Sequence, residues 1–90
     1  MNNIRRKAIA KIVEQLEKAN EIITAAQEEL ETIKDEEQEY YDNMPEGIQS
    51  GEKGEKAQEA IDNLENAFDS LTTVNDELEN VLDYLEESLI

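Results

Sequence analysis

The apolar residues between Ile9 and Ile33 recur at alternating steps of three and four positions. This spacing is the heptad repeat of a helix that buries one stripe of side chains against a neighbouring helix. If Ile9 is assigned to position a, every a and d position of the run is apolar. These residues are Ile9, Ile12, Leu16, Ala19, Ile23, Ala26, Leu30 and Ile33. The pattern predicts a long helix over about residues 4–42, with Asn2 or Asn3 as its N-cap.

A turn and a second helix follow. Residues 43–54 contain the only proline, Pro45, and all three glycines. Proline has no backbone N–H and forces the preceding residue out of the helical region, so we expect a turn at about 43–50. Ser50 is a suitable N-cap for a second helix over about 51–89. The predicted buried stripe of that helix is Ala57, Ile61, Leu64, Phe68, Leu71, Asn75, Leu78, Leu82, Leu85 and Leu89.

The two stripes pair without a leftover residue when the helices are antiparallel. Facing residues then have numbers that add to about 97 or 98, which places Ile33 opposite Leu64 and Ile23 opposite Asn75. The predicted fold is therefore all-α, an antiparallel two-helix coiled-coil hairpin that forms a single domain over residues 1–90.

Aliphatic residues beside both stripes indicate more than two helices. Ile22, Val74 and Val81 are examples. Ninety residues is also close to the size at which one core is marginal. We expect a homodimer, a four-helix bundle of two hairpins. Asn75 either fixes the register or the oligomeric state from a core position, or faces solvent at the edge of the stripe; both readings stay open.

The charge is strongly negative and unevenly distributed. The chain has 24 acidic and 8 basic residues, a net charge of −16. Residues 1–34 are neutral overall, residues 35–56 carry −6 and residues 57–90 carry −10. Such a surface repels nucleic acid and anionic lipid and attracts basic protein surfaces. The predicted partner-binding acids on the second helix are Glu59, Asp62, Glu65, Asp69, Asp76, Glu79 and Asp83.

Two tyrosines are further candidates for contact with a partner. The helical phase places Tyr40 inside the last layer of the hairpin, as a cap. Tyr41 and Tyr84 fall off the predicted stripes, and tyrosine is enriched at protein interfaces.

The composition argues against catalysis and against a bound cofactor or metal. The chain has no cysteine and no histidine, so it lacks a thiolate, the usual general base and the commonest metal ligand. The acids of residues 35–42 point around a helix instead of converging on a cation, so a solvated acidic surface is expected there. No signal peptide or membrane span is expected, since charged residues interrupt the apolar run after residue 7. A cytoplasmic protein is predicted.

The segment 35–71 resembles small acidic, all-helical proteins encoded by phages and mobile elements of Gram-positive bacteria. The distinctive residues are the Asn-Met-Pro turn at 43–45 and the run Ile-Asp-Asn-Leu-Glu at 61–65. The resemblance implies an accessory protein of a mobile element, and such proteins include anti-CRISPR and other inhibitors of bacterial defence systems. It assigns no functional residue.

Two functions fit these observations. The first is a phage-type inhibitor that imitates DNA and occupies the nucleic-acid-binding surface of a defence or DNA-handling protein. A 40-residue helix is about 60 Å long, so one hairpin carries roughly 0.27 net charges per Å and a dimer roughly 0.53, against about 0.59 for duplex DNA. The second is a coiled-coil assembly or adaptor module whose acidity only confers solubility.

Overall fold

The computed structural model describes residues 1–90 and contains three helices and no strand. Helix α1 spans Asn3–Asp42, α2 spans Glu46–Gln49 and α3 spans Glu52–Ser88. The two long helices lie antiparallel, since Arg6 near the start of α1 donates a hydrogen bond to the carbonyl oxygen of Leu89 beyond the end of α3 (2.6 Å). Their pairing makes a rod with extents of 68 × 15 × 14 Å. The all-helical architecture and the long helix pair are confirmed.

Both ends of α1 follow from local chemistry. The side-chain oxygen of Asn2 accepts a hydrogen bond from the backbone N–H of Arg5 (2.8 Å), so Asn2 is the N-cap. The helix ends at Asp42, with Asn43 as its C-cap. Pro45 then begins the next element as the N-cap of α2. Proline therefore stops α1 near the predicted residue.

The turn contains the one-turn helix α2, which the glycine and proline pattern does not predict. Ser50 is the C-cap of α2, and its hydroxyl lies 3.3 Å from the carbonyl oxygens of Glu46 and Gly47. Gly51 is the N-cap of α3 and makes no side-chain hydrogen bond. The prediction that Ser50 caps the second helix is wrong, because its hydroxyl is directed to the preceding turn.

The turn packs closely against the start of α3 at Gly54. This glycine is buried, and a Cβ atom here would overlap the backbone carbonyl group of Gln49. The side-chain amide of Gln49 in turn donates to the carbonyl oxygen of Tyr41 at the end of α1 (2.8 Å). Gln49 and Gly54 thus bring all three helices together. Ala57 and Ile61, each 4% exposed, complete the only fully buried part of the molecule.

The interface between the long helices confirms the predicted stripe of α3. Every residue of that stripe, from Ala57 to Leu89, is buried or half-buried. The 3.6-residue period of the helix and the spacing of its leucines are sufficient to define this face.

Six of the eight residues predicted for the stripe of α1 are half-buried, including Ala19 and Ala26, and two are exposed. Ile12 and Ile33 are 44% and 50% exposed, although both were assigned to the buried d column. Val13 lies in the interface instead of Ile12, and polar residues occupy three further positions of the column with Val13, namely 20, 27 and 34. The residues of α1 and the turn that recur at the interface are Ile9, Val13, Leu16, Asn20, Ile23, Gln27, Leu30, Lys34, Glu37, Tyr41 and Met44. The expectation of a wholly apolar stripe is wrong.

The face of α1 that contacts α3 is thus rotated about the helix axis from the predicted face, and a polar layer accompanies this rotation. The amide nitrogen of Gln27 donates to the carbonyl oxygen of Phe68 (3.1 Å) and to the hydroxyl of Thr72 (2.8 Å). The amide nitrogen of Asn75 donates to the side-chain oxygen of Gln27 (3.1 Å) and to the hydroxyl of Thr24 (3.4 Å). These bonds require Gln27 to face α3. They also show that Asn75 lies between the helices, so its solvent-facing alternative is wrong.

Charge is uneven along the rod. The half nearest the turn, residues 24–74, carries fifteen acidic and three basic residues, a net of −12, and the open half carries nine acidic and five basic residues, a net of −4. The only ion pairs are Glu14–Lys18 at 3.6 Å and Glu52–Lys56 at 3.2 Å, each within one helix. No segment of the helices is apolar enough to cross a bilayer.

Candidate interaction surfaces

The two lateral sides of the rod differ in chemistry, and the heptad positions observed in the structure define them. With Ile9 of α1 at position d and Ile61 of α3 at position a, the contacts between the helices fall on a and d. The two helices of an antiparallel pair are related by an approximate twofold axis perpendicular to the plane that contains them. Rotation about this axis leaves the e positions of both helices on one side of the rod and the g positions of both on the other. The e positions, which include Thr24 and Thr72, therefore line one side. The g positions line the other side.

The side lined by the e positions is acidic. From residue 10 to residue 86 the two long helices have twenty e and adjoining b positions, of which fifteen are Asp or Glu and none is Lys or Arg. All fifteen are exposed, and we call them the acidic face. They are Glu14, Glu17, Glu21, Glu28, Glu31, Asp35, Asp42, Glu55, Asp62, Glu65, Asp69, Asp76, Glu79, Asp83 and Glu86.

The carboxylates of the acidic face are almost entirely uncompensated. Glu14 alone has a basic group within 4 Å, the ammonium of Lys18. Asp42 and Asp62 accept hydrogen bonds from the neutral side chains of Gln38 (2.9 Å) and Gln58 (3.1 Å). The charge of this face is therefore available to a partner.

The number of these carboxylates per unit length of the rod resembles that of phosphates along one strand of nucleic acid. Residues 10–42 of α1 cover about 48 Å at 1.5 Å per residue. Fifteen carboxylates along this length give roughly one per 3.2 Å, whereas one strand of duplex DNA has a phosphate per ~3.4 Å. One hairpin thus matches the linear charge density of a single strand.

The acidic face includes six of the seven acids predicted on the second helix. Glu59, the seventh, lies at the adjacent outer position f. The seven acids of α1 in the acidic face were not predicted. The predicted d column, which contains Ile12, places their side of α1 away from α3. A signal was present in the sequence: every seventh residue from Glu14 to Asp42 is acidic, as is every seventh residue from Asp62 to Asp83.

On the opposite side of the rod the g positions are apolar from residue 12 to residue 40 and from residue 60 to residue 81, and we call them the apolar flank. Its five large residues are between 42% and 52% exposed. The residues of the apolar flank are Ile12, Ala19, Ala26, Ile33 and Tyr40 of α1 with Ala60, Ala67, Val74 and Val81 of α3. The adjoining c positions are mixed: Ile22 (69% exposed) and Tyr84 (74% exposed) lie there together with Glu29, Glu36 and Glu77. Of the predicted dimer residues, Val74 and Val81 belong to this flank, Ile22 borders it, and Asn75 points to α1 instead.

The tyrosines at the turn end are placed the opposite way from the prediction. Tyr40 is 52% exposed on the apolar flank, whereas Tyr41 is half-buried at an interface position. The same rotation of α1 that exposes Ile33 exchanges the two residues. Tyr40 and Tyr84 are therefore the more accessible tyrosines.

The remaining surface offers no enclosed site. No cavity is present, and no three acidic side chains are grouped so that they could hold a metal ion. Comparisons with protein-family models, curated proteins and solved structures found no match to this chain. The acidic face and the apolar flank are thus the features from which a function is inferred.

Proposed function

We propose that this chain is a non-catalytic binding protein whose acidic face occupies a basic, nucleic-acid-binding surface of a protein partner. The observation that carries the proposal is a face of fifteen carboxylates, of which only Glu14 has a basic group within 4 Å. Their average density, roughly one per 3.2 Å of rod, is close to the phosphate density of one DNA strand. A groove lined with Lys and Arg that holds a phosphate backbone meets the same sign and density of charge here. Nucleic acid itself is repelled by this face.

The resemblance of residues 35–71 to accessory proteins of phages and mobile elements suggests the setting. In this proposal the partner is a defence or DNA-handling protein in the cytoplasm of a bacterial host. The chain acts as an inhibitor by excluding nucleic acid from that partner, as an anti-CRISPR protein of the DNA-mimic kind would.

The proposal includes a homodimer, a four-helix bundle of two hairpins. The acidic face and the apolar flank lie on opposite sides of the rod, so pairing through the flanks leaves both acidic faces in solvent. The dimer then presents two rows of carboxylates, one on each outer side.

A charge-reversal experiment tests the proposal. We expect Asp62→Lys, Glu65→Lys and Asp69→Lys together to abolish the capture of basic nucleic-acid-binding proteins from a bacterial lysate by the immobilised chain. Proteins captured by the unaltered chain should be released by moderate salt and by a 20-base-pair DNA duplex. Glu39→Lys, Glu52→Lys and Glu87→Lys are the matched control, since they change the net charge equally at f positions outside the acidic face. The proposal would be contradicted if capture persisted at moderate salt, in the presence of the DNA duplex, and in the variant with Asp62, Glu65 and Asp69 replaced by lysine.

The apolar flank favours a second candidate function, that of a coiled-coil assembly module. An exposed aliphatic stripe is typical of a surface that binds another helix. Binding through the flank would depend little on salt and would be lost in Ile33→Glu while surviving the charge reversals. The two functions are therefore separated by the same capture assay.

A further inference from the structure

The apolar surface of each long helix is not centred on the other helix. In α1 the apolar columns are d and g, with Ile12 and Ile33 at g, whereas the contacts with α3 use d and a polar a column. The centre of the apolar surface is consequently turned by about 50° from the direction of α3. Val74 and Val81 turn the apolar surface of α3 toward the same side. A hairpin that completed its own core would centre both surfaces on its own interface.

The apolar flank is large enough to form a stable interface. From Ile12 to Tyr40 it extends about 42 Å along α1, and the rod is 15 Å wide. A second copy that covered this strip would bury about 600 Å² on each chain, or about 1,200 Å² in total. A specific interface needs roughly 1,000 Å² in total. Burial of this strip would enlarge a small core, since only three of the 90 residues are buried within the hairpin.

The net charge of the two halves of the rod favours one direction for the second copy. With both turns at one end, a half that carries −12 would lie against another half that carries −12. With the turns at opposite ends, each −12 half lies against a −4 half. The open end also has Arg5, Lys7 and Lys11 with no carboxylate within 4 Å in their own chain. The head-to-tail arrangement places Arg5, at position g on the flank, beside the acidic turn end of the partner. Lys7 at position b and Lys11 at position f lie away from this interface.

We infer that a second copy of this chain packs on the apolar flank head to tail, so that α1 lies antiparallel to the α1 of its partner. This inference rests on the dimer of the proposed function and adds its face and its direction. The twofold axis passes near Ile22. Ile12 then meets the partner's Ile33, and Arg5 lies within a helical turn of the partner's Glu36. The arrangement leaves the acidic face of each copy in solvent.

Distances between spin labels on the two copies test the direction. The chain has no cysteine, so a single introduced cysteine is labelled uniquely. Gly47→Cys lies at the turn, where an added Cβ meets no atom within 4 Å. Labels at this position should be separated by about the length of the rod, 68 Å. Thr73→Cys, at the middle of the rod on its outer surface, is the control. Its labels should be much closer than the length of the rod whether the copies lie head to tail or with both turns at one end. Short distances at both positions would overturn the head-to-tail arrangement.

A substitution on the flank tests the face. Ile33→Glu should convert the dimer to a monomer in sedimentation, because it places a carboxylate against the partner's Ile12 and, by symmetry, does so twice in each dimer. Thr32→Glu adds the same charge one residue away on the outer surface and should leave the dimer intact. If Ile33→Glu unfolds the chain, the label distances still decide the arrangement. A monomeric unaltered chain, or a dimer unaffected by Ile33→Glu, would overturn the inference, while the capture assay judges the acidic face separately.

Discussion

The turn end and the open end of the rod are built from the same heptad repeat but are packed differently. All three buried residues, Gly54, Ala57 and Ile61, lie near the turn, and no residue of the open half is buried. At the turn the end of α1, helix α2 and the start of α3 converge, so side chains are covered from more than one direction. Farther along, each helix has a single neighbour. The comparison shows that two helices alone leave this interface half-exposed and that a third element closes it.

The two ends also differ in how their charges are compensated. The open half combines nine acids with five bases, whereas the turn half has fifteen acids and three bases. The better packed end is therefore also the end with the greater electrostatic repulsion. Packing and charge can be perturbed separately, and each perturbation should affect one end more than the other.

The largest effect is expected for truncation of a buried side chain near the turn. Ile61→Ala should lower the free energy of unfolding by about 3 kcal/mol, since it empties a buried position. Leu85→Ala at the open end should cost about 1 kcal/mol, because Leu85 is half-buried. Urea denaturation followed by circular dichroism at one protein concentration measures both. Equal losses would show that the two ends are equally well packed.

A smaller loss is expected when a methyl group is added at the turn. Gly54→Ala should destabilise the chain by about 2 kcal/mol, because the new Cβ would overlap the backbone of Gln49. Gly47→Ala is the control, since this position is helical and open. Alanine there should stabilise by up to about 1 kcal/mol. The thermal midpoints of the two variants should therefore move in opposite directions, and a neutral Gly54→Ala would mean that α2 is not held against α3.

Replacement of the polar layer should stabilise the middle of the rod. The side-chain oxygen of Asn75 is buried without a hydrogen-bond partner, and a buried unpaired polar atom is costly. Asn75→Leu removes this unpaired oxygen and adds apolar contact, but also removes the donor to the side-chain oxygen of Gln27. Because Gln27 keeps its bonds to Phe68 and Thr72, we expect a net rise of about 1 kcal/mol in the free energy of unfolding. The variant should also lose specificity in helix pairing, visible as broadened amide resonances. A destabilised variant would show that the bonds of Asn75 outweigh its burial.

The smallest effect concerns charge at the turn end. The last turn of α1 contains no basic residue, and its acids face the negative end of the helix dipole. Glu39→Lys should therefore stabilise by about 0.5 kcal/mol, with Glu39→Gln intermediate. The gain should largely vanish in 1 M NaCl, where charges are screened beyond ~3 Å. A gain that survives high salt would assign the effect to helix propensity instead of charge.

Several features of the candidate surfaces could be inferred from residue spacing and others could not. The acids of α3 and the valines Val74 and Val81 were identified because their sequence positions alone place them beside a well-defined leucine stripe. The acids of α1 were not, since their side of the rod depends on which column of α1 faces α3. Periodicity favoured the wrong column, because the column with Ile12 is wholly apolar, whereas the column with Val13, which faces α3, contains mostly polar residues. The exchange of Tyr40 and Tyr41 has the same origin.

The sequence by itself determined two long helices, the proline-stopped turn between them, the buried stripe of α3 and the excess of negative charge. Each of these depends on local conformational preferences or on a period within one helix, which neighbouring residues are enough to specify. Only the tertiary structure decided the rotation of α1, the one-turn helix α2 and the separation of an acidic from an apolar side. These depend on contacts between distant residues, such as Gln27 with Thr72 and Asn75, and on the close approach of Gln49 to Gly54. Such contacts exist only once the helices have come together.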